Sequence, residues 1–372
     1  MTSASNSPVL MNLSMVGQRQ TGIAIYASQI ALHLTSDSLA LLSPSHWRDR
    51  VSTDPRLRER QWAVVPSNLS PDDGKVGHLR RLLWTQRSVP RLMAQWHGRL
   101  FFSPVPEAPL GVGCRSVVMV HDLIPLRFPQ WRSPLTLYFR AYVPQVLRQA
   151  AHILCNSEAT AREVSDRFAI PTHRITPIHL AYDAQHFQPQ RGSTQNYFVY
   201  LGRHDPHKNL ERLVRAFAAL PQAQELELWL VGPTDARYTP LLLTLAQELG
   251  VGGQVRCLDY VPYAELPQIL GGAIALVFPS LWEGFGLPVL EAMACGTPVI
   301  TSTAAALPEV AGDAALLVSP TDIRALMDAM QHVALDSSVR SHLRSAGLAR
   351  ASQFSWATTG KRTSEVLQQC LQ

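Results

Sequence analysis

Two glutamates flank a glycine-containing loop in one short stretch of the chain. Glu283 opens the loop Glu283-Gly284-Phe285-Gly286-Leu287, and Glu291 lies eight residues after Glu283. Proline is tolerated in the first turn of a helix, so we predict a helix from Pro288 to Cys295 that ends at Gly296. The N–H groups and dipole at its start favour phosphate, whereas the carboxylates accept hydrogen bonds from hydroxyl groups. A sugar nucleotide has both groups. The alternative is an ordinary loop acid followed by a solvated helix acid.

Two cations follow a different predicted strand. Arg203 and Lys208 lie in the segment GRHDPHKN, directly after the predicted strand Tyr197–Leu201. Each cation alone would be an ordinary surface residue. Beside a helix N-terminus and two acids, they suit a diphosphate, because guanidinium binds phosphate oxygens through two bonds and ammonium acts as a point charge. Asn209 is predicted to cap the helix that follows.

The elements that must position these residues alternate regularly in the second half of the chain. This alternation predicts an α/β, doubly wound parallel sheet, which binds ligands at the carboxyl ends of its strands. Gly232 follows the second of these strands, and Tyr260 and Val261 follow the third, where they would form walls for a nucleotide base. The predicted strands are Tyr197–Leu201, Leu226–Val231, Val255–Leu258, Ala273–Phe278, Val299–Thr301 and Ala315–Val318.

The first half also shows strands followed by loops and helices. A strand is predicted over Pro8–Val16, then a loop from Gly17 to Gly22 and a helix. The glycines are too sparse for the G-x-G-x-x-G fingerprint, which argues against a nicotinamide enzyme. His121 follows the predicted strand Val117–Val120, at the edge where such sheets bind ligands. Taken alone, a histidine in that position is more often a packed residue.

Composition limits the class of protein. A chain of 372 residues favours two domains, and 46% hydrophobic residues provide ample core. No stretch approaches the roughly 18 apolar residues of a membrane span, and the first residues lack a secretion signal, so we expect a cytoplasmic protein. The cysteines form no C-x-x-C pair and the histidines no H-E-x-x-H motif, so no bound metal is expected.

Positive charge is concentrated in the first half. Residues 1–185 hold twenty Lys and Arg against twelve Asp and Glu, whereas residues 186–372 hold thirteen against sixteen. Residues 75–100 combine six cations with leucines and tryptophans and contain no acid, and Pro90 is predicted to divide them into two helices. Either their apolar stripe packs on the sheet, or the segment contacts an anionic membrane. Nucleic acid is not an expected partner, since the tryptophans lie on a leucine-rich stripe.

Three phrases of the chain resemble one enzyme family. EGFGLPVLEAMACGTPVI, with its E-x7-E spacing from Glu283 to Glu291, is similar to the signature of the retaining glycosyltransferases of family 4, also called group 1, and HDLIP and GRHDPHKN resemble that family as well. The resemblance implies the GT-B fold, with two Rossmann-like domains facing each other across a deep cleft. It implies an acceptor-binding domain over 1–185, a nucleotide-sugar domain over 186–350, and a helix in 351–372 that crosses back to the first domain. Residues 182–194 are the predicted linker.

The resemblance also implies roles for particular residues. Arg203 and Lys208 would bind the donor's diphosphate, Glu283 would orient the sugar hydroxyls, and Glu291 would contact the ribose. His121 would lie beside the donor sugar as a fourth catalytic residue with Arg203, Lys208 and Glu283. The remaining donor-binding residues would be Gly17, Gly232, Tyr260, Val261, Gly284, Phe285, Gly286 and Leu287.

The expected reaction is therefore transfer of a hexose with retention, without cofactor or metal. The phrases are most similar to bacterial mannosyltransferases of surface polysaccharide synthesis, which favours GDP-mannose as donor, with a UDP-hexose next. The acceptor would be a saccharide or a lipid-linked saccharide. Two other classes stay open: a GT-B epimerase or hydrolase acting on a nucleotide sugar, and a non-catalytic GT-B-like binding protein.

Overall fold

The computed structural model describes residues 9–18, 21–35, 39–58, 60–111, 113–130, 133–190, 192 and 194–372. The chain divides into two compact units. The first unit comprises Met1–Leu180 and Trp356–Gln372, and the second comprises Ala181–Ser355. Parts of three predicted segments lie outside the described residues: residue 8 of the first strand, residues 19 and 20 of the loop after it, and residues 191 and 193 of the linker.

The first unit is built on a sheet of seven strands, all parallel, in the order β3-β2-β1-β4-β5-β6-β7. Its central strands are buried along their whole length, because helices cover both faces of a parallel sheet. The strands are β1 Val9–Asn12, β2 Leu39–Pro44, β3 Gln61–Val65, β4 Leu100–Ser103, β5 Ser116–Val120, β6 His152–Cys155 and β7 Ile175–Pro177.

In the described residues, eight α-helices connect these strands. Two of them start from side-chain caps, since the hydroxyls of Thr21 and Ser157 accept hydrogen bonds from backbone N–H groups three residues later. The helices are α1 Gly22–His33, α2 Ser45–Val51, α3 Gly74–Arg87, α4 Val89–Gln95, α5 Ile124–Arg127, α6 Pro134–Ala141, α7 Val143–Gln149 and α8 Glu158–Phe168.

The basic segment forms two helices, α3 and α4, divided near Pro90 as predicted. In α4, Val89 and Met93 are buried. In α3, Leu82 and Trp84 are half-buried against the same core. The inner face of α3 also carries Arg81, whose guanidinium donates two 2.8 Å hydrogen bonds to the buried carboxylate of Glu107. The interpretation that the apolar stripe packs inward therefore holds for α4 and for part of α3. The other apolar residues of α3, Val76, Leu79 and Leu83, face solvent beside this ion pair.

The second unit is built on six parallel strands in the order β10-β9-β8-β11-β12-β13. The predicted strands agree with those observed to within two residues at each end. They are β8 Tyr197–Leu201, β9 Glu227–Val231, β10 Val255–Leu258, β11 Ala275–Phe278, β12 Val299–Ser302 and β13 Leu316–Val318. The prediction of two doubly wound parallel α/β domains is confirmed.

Seven helices accompany this sheet. Helix α12 begins one residue before the predicted start, and Gly296 follows its end with a φ of 75°, a left-handed conformation that favours glycine. The helices are α9 Leu210–Ala218, α10 Thr239–Glu248, α11 Leu266–Gly272, α12 Leu287–Ala294, α13 Leu307–Ala311, α14 Ile323–Leu335 and α15 Ser337–Ala351.

The last helix, α16 (Trp356–Leu371), belongs to the first unit, not to the unit that precedes it in sequence. It packs on α1 so closely that a Cβ on Gly360 would lie 2.4 Å from the carbonyl oxygen of His33. Thr359 donates a hydrogen bond to the carbonyl of His179, and Ser364 accepts one from the Thr35 N–H. In the described part of the chain, every helix is too short or too polar to cross a lipid bilayer.

Candidate functional site

Strands β8 and β11 lie side by side at the centre of the second sheet, and the chain extends outward from them in opposite directions. In an open parallel sheet, such a reversal of strand order separates the loops that follow the two strands and leaves a crevice at their carboxyl ends. The loop after β8 carries Arg203 and Lys208, and the loop after β11 carries Glu283. The topology therefore places these three residues at the position where this class of sheet binds ligands.

Lys208 and Glu283 are in direct contact. The Lys208 Nζ atom lies 2.7 Å from Oε1 of Glu283, and their side chains are only 15% and 9% exposed. The same ammonium lies 5.3 Å from the centre of the Phe278 ring. Since the pair is shielded from water, its attraction is stronger than that of a surface ion pair. The two side chains are thereby held in one geometry, with a cation and an anion at the same point of the crevice.

Asn209 anchors the loop that carries Lys208. Its backbone is left-handed, with a φ of 64°, and its side-chain amide donates to the carbonyls of Pro279 and Pro320 at 3.0 and 2.6 Å. Its side chain makes no capping bond to helix α9, so the predicted cap is wrong. The amide instead ties the loop after β8 to the loop after β11, and the Leu281 N–H, which donates to the His207 carbonyl, adds a second tie.

His207 lies among the charged groups of this loop. Burial lowers its pKa, the charge of Lys208 lowers it further, and Glu283 and Asp205 oppose that shift. Arg203 is also within electrostatic reach of His207, but its side chain is 69% exposed and pairs with Asp205 at 3.3 Å. Lys208 is thus held in place by the protein, whereas the Arg203 guanidinium extends toward solvent.

Two glycines allow the loops after β8 and β9 to touch. Gly202 and Gly232 have φ values of 149° and 131°, and a Cβ on Gly232 would lie 2.3 Å from the carbonyl oxygen of Gly202. A side chain at Gly232 would therefore collide with the Gly202 backbone, which could move aside only if the loop were rearranged. The approach leaves the carboxyl ends of β8 and β9 without side-chain bulk beside Arg203.

Helix α12 starts at the same edge of the sheet. Gly286 precedes it with a φ of 110°. Pro288 has no N–H group and the Val289 N–H donates to the Gly286 carbonyl, so it is the Leu287 N–H that begins the helix without a partner inside it. The Phe285 ring is 3% exposed and packs at 6.2 Å against the ring of Phe354. Its side chain therefore belongs to the core. The predicted role of residues 284–287 in donor binding would fall to their backbone.

Glu291 has different neighbours from Glu283. Burial and the nearby Asp183 carboxylate raise the pKa of Glu291 to about 7. Burial, with a smaller contribution from both acids, raises the pKa of Tyr263. Burial and the charge of Glu291 raise the pKa of Cys295. Asp183, in the segment predicted as a linker, is held by hydrogen bonds from the N–H groups of residues 185 and 186. Glu291 can therefore change charge near neutral pH.

Tyr260 and Val261 follow β10, as predicted, at the same edge of the sheet. Tyr260 is 79% exposed, and Val261 is half-buried. Because the Tyr260 ring is exposed at this edge, a planar group such as a nucleotide base could stack on its free face.

The other two predicted residues, Gly17 and His121, lie in the first unit. His121 follows β5, and because a carbonyl only accepts, its Nε2–H donates to the Pro104 carbonyl at 2.9 Å. Burial lowers the pKa of His121 to about 4, so the ring is neutral and Nδ1 keeps its lone pair. Gly17 follows β1 and lies against Asp72, whose carboxylate accepts a hydrogen bond from the Gln18 N–H at 2.6 Å.

Eleven of the thirteen predicted site residues thus lie in the second unit, and two lie in the first. Three neighbours of these residues, Asp183, Asp205 and His207, were not predicted from the sequence. Asp205 and His207 stood within the GRHDPHKN phrase, where their acid and imidazole groups were a usable signal. Asp183 carried no such signal, because it stands in a stretch of glutamines and prolines. No three His, Cys, Asp or Glu side chains come together as a metal site would require, within the residues that the structure describes.

Two family profiles match adjacent parts of the chain. The profile for glycosyltransferase family 4 matches residues 22–186, and that for glycosyl transferases group 1 matches residues 182–350. O-antigen chain mannosyltransferase B of Escherichia coli is 31% identical over 299 residues, which cover 77% of this chain and 76% of that protein. O-antigen chain mannosyltransferase RfbU of Salmonella typhimurium is 26% identical over 330 residues, covering 87% and 90%.

Solved structures share the architecture. Sucrose-phosphate synthase from Thermosynechococcus elongatus superposes with a TM-score of 0.76 at 20% identity, covering 98% of each chain. HepE of Anabaena, in complex with UDP and glucose, gives a TM-score of 0.74 at 19% identity, covering 97% of this chain and 99% of that one. These likenesses confirm the GT-B fold. With the matched profiles and the E. coli relative, they establish that the chain belongs to the group 1, or family 4, glycosyltransferases.

Proposed function

We propose that this glycosyltransferase transfers mannose from GDP-mannose, with retention and without a metal ion, to a saccharide or lipid-linked saccharide during surface polysaccharide synthesis. The observation that carries the proposal is the shielded Lys208–Glu283 pair, which lies where the strand order reverses. Glu283 also stands four residues before the start of α12. The names of the E. coli and Salmonella relatives support mannose. UDP in the HepE complex makes a UDP-hexose the second candidate donor.

The chemistry requires that negative charge on a departing diphosphate be stabilised. Lys208, Arg203 and the first N–H group of α12 can accept that charge, so no metal is needed in the proposed reaction. As the diphosphate binds Lys208, Glu283 would exchange its ammonium partner for hydroxyl groups of the sugar. Glu291 would accept hydrogen bonds from the ribose. The neutral His121 ring would offer Nδ1 to a sugar hydroxyl.

Retention is proposed to follow from attack by the acceptor hydroxyl on the face from which the diphosphate leaves. The departing phosphate itself would take the proton of that hydroxyl, so no protein nucleophile is required. Trapping a mannosyl group on a side chain, followed by mass spectrometry of the digested protein, would replace this route with a covalent one.

Thermal unfolding with a panel of nucleotides and nucleotide sugars tests the donor. GDP and GDP-mannose should raise the unfolding temperature, with a rise that grows as the logarithm of ligand concentration above the Kd, and UDP should not. Stabilisation by UDP alone would remove mannose as the first choice. The Lys208→Met variant should lose the GDP effect, whereas Lys361→Met, on the exposed side of α16, should keep it.

Transfer itself is tested with GDP-mannose and candidate acceptors, with and without EDTA. NMR of the product should show the same anomeric configuration as the donor. Release of free mannose without transfer would instead indicate a hydrolase. We also propose that the protein is cytoplasmic and that its basic half makes peripheral contact with an anionic membrane, where a lipid-linked acceptor would be held.

A further inference from the structure

Helix α3 presents an apolar strip to solvent. Val76, Leu79 and Leu83 are 56%, 58% and 47% exposed. At 3.6 residues per turn, the three side chains fall within an arc of about 60° on the helix surface. Exposed cations flank the arc on both sides. We call the following six residues the outer face of α3: Lys75, Val76, Leu79, Arg80, Leu83 and Arg87.

The strip is exposed because the opposite side of α3 is held by polar contacts. Arg81 is 5% exposed and, besides its two bonds to Glu107, donates to the carbonyl of Leu69 at 3.1 Å. His78 packs edge-on against Tyr138 of α6 at 4.8 Å. These contacts fix the rotation of the helix, so the outer face cannot turn inward to bury its leucines. The neighbouring helix α6 exposes a further leucine, Leu137, at 66%.

We propose that the outer face of α3 docks on an anionic lipid surface. Its charge is complementary to such a surface, because its six residues include the exposed cations Lys75, Arg80 and Arg87 and no acid. Its shape also fits, since a narrow strip on a convex helix can insert at the level of the lipid headgroups while flanking Lys and Arg side chains reach the phosphates.

This inference deepens the membrane contact in the proposed function, but it does not depend on the donor or the reaction. Docking through α3 would hold the first unit at the membrane surface, where a lipid-linked acceptor resides. The contact is reversible, because one helix face buries too little apolar area for permanent anchoring.

Cosedimentation of the full chain with vesicles tests the proposal. The wild type should bind phosphatidylcholine vesicles that contain phosphatidylglycerol and should not bind pure phosphatidylcholine. Raising the salt from about 0.1 M to about 1 M should release it, because the screening length falls from about 10 Å to about 3 Å. Replacing Lys75, Arg80 and Arg87 by Gln should weaken binding about a hundredfold, at about fivefold for each cation.

Matched variants assign the binding to this helix. Leu79→Glu with Leu83→Glu should abolish binding, whereas Leu241→Glu, at a leucine of α10 that is 65% exposed, should leave it unchanged. Equal losses in both variants, or no binding of the wild type at low salt, would overturn the proposal. Transfer to a water-soluble acceptor should be the same in all of these variants. Failed transfer with normal vesicle binding would count against the proposed reaction and leave the docking face standing.

Discussion

The raised pKa of Glu291 makes a prediction about stability. Burial and the Asp183 carboxylate raise this pKa from an ordinary 4.5 to about 7. A shift of that size corresponds to about 3 kcal/mol in favour of the protonated carboxyl, an upper bound because the side chain is only half-buried. Since the folded protein binds the proton more tightly than the unfolded chain, folding is favoured at low pH. This contribution is complete below about pH 4.5 and is lost as the pH rises to about 7.

The Glu291→Gln variant removes this titration. At pH 8 the variant should be more stable than the wild type by up to about 3 kcal/mol, because the wild type must keep an ionised carboxylate half-buried beside Asp183. At pH 5 the difference in stability between variant and wild type should fall below about 1 kcal/mol, since the folded Glu291 carboxyl is then neutral and only the unfolded chain ionises it. Urea unfolding without nucleotide, at several pH values between these limits, measures the difference in unfolding free energy between the variant and the wild type.

Two further variants make the test specific. Asp183→Asn removes the neighbouring charge, so the pKa of Glu291 should fall, and the loss of stability should be smaller and end at lower pH. Glu248→Gln, on the exposed side of α10, gives the effect of the amide substitution alone. If the difference in stability between Glu291→Gln and the wild type were the same at pH 5 and pH 8, the reasoning from burial and like charge would be refuted.

Three other predictions concern the architecture of the crevice. Lys208→Met and Glu283→Gln should each destabilise the protein by about 2 kcal/mol, and the double variant by clearly less than their sum, in urea unfolding. Additive losses would show that the two side chains do not interact. Gly232→Ala should cost more than about 1 kcal/mol by the same measurement, because its Cβ would meet backbone at 2.3 Å, whereas Gly253→Ala, with open space around it, should not. Asn209→Ala should lower the thermal midpoint by several degrees, because two carbonyls lose their donor. An unchanged midpoint would contradict the anchoring role of this residue.

The strands of the second unit could be predicted from the sequence because their signal is local. Each buried parallel strand is a short apolar run, and in such a sheet the polar residues that directly follow its strands meet at one edge. Arg203, Lys208 and Glu283 were expected at that edge for this reason, and the structure places them there. The E-x7-E phrase and its neighbours were also sufficient to predict the family.

The sequence did not determine which of these charged groups pair. GRHDPHKN offers two cations, and only the fold brings Lys208 to Glu283 across 75 residues while Arg203 pairs locally with Asp205. Asp183 comes close to Glu291 although 108 residues separate them and no motif links them. Such pairs depend on the order of strands in the sheet and on how loops pack, which no local pattern encodes.

Helix α3 also shows which features the sequence predicts and which only the fold decides. Its composition alone predicted a basic helix with an apolar strip, and periodicity placed that strip on one side. Which side faces the sheet was decided by the Arg81–Glu107 pair, whose partners lie 26 residues apart. A buried ion pair is stable only when both charges are enclosed together, so it constrains the rotation of the helix more strongly than a few leucines do. The sequence therefore determined the elements and their chemistry, and the tertiary structure decided which surfaces those elements bury and which they present.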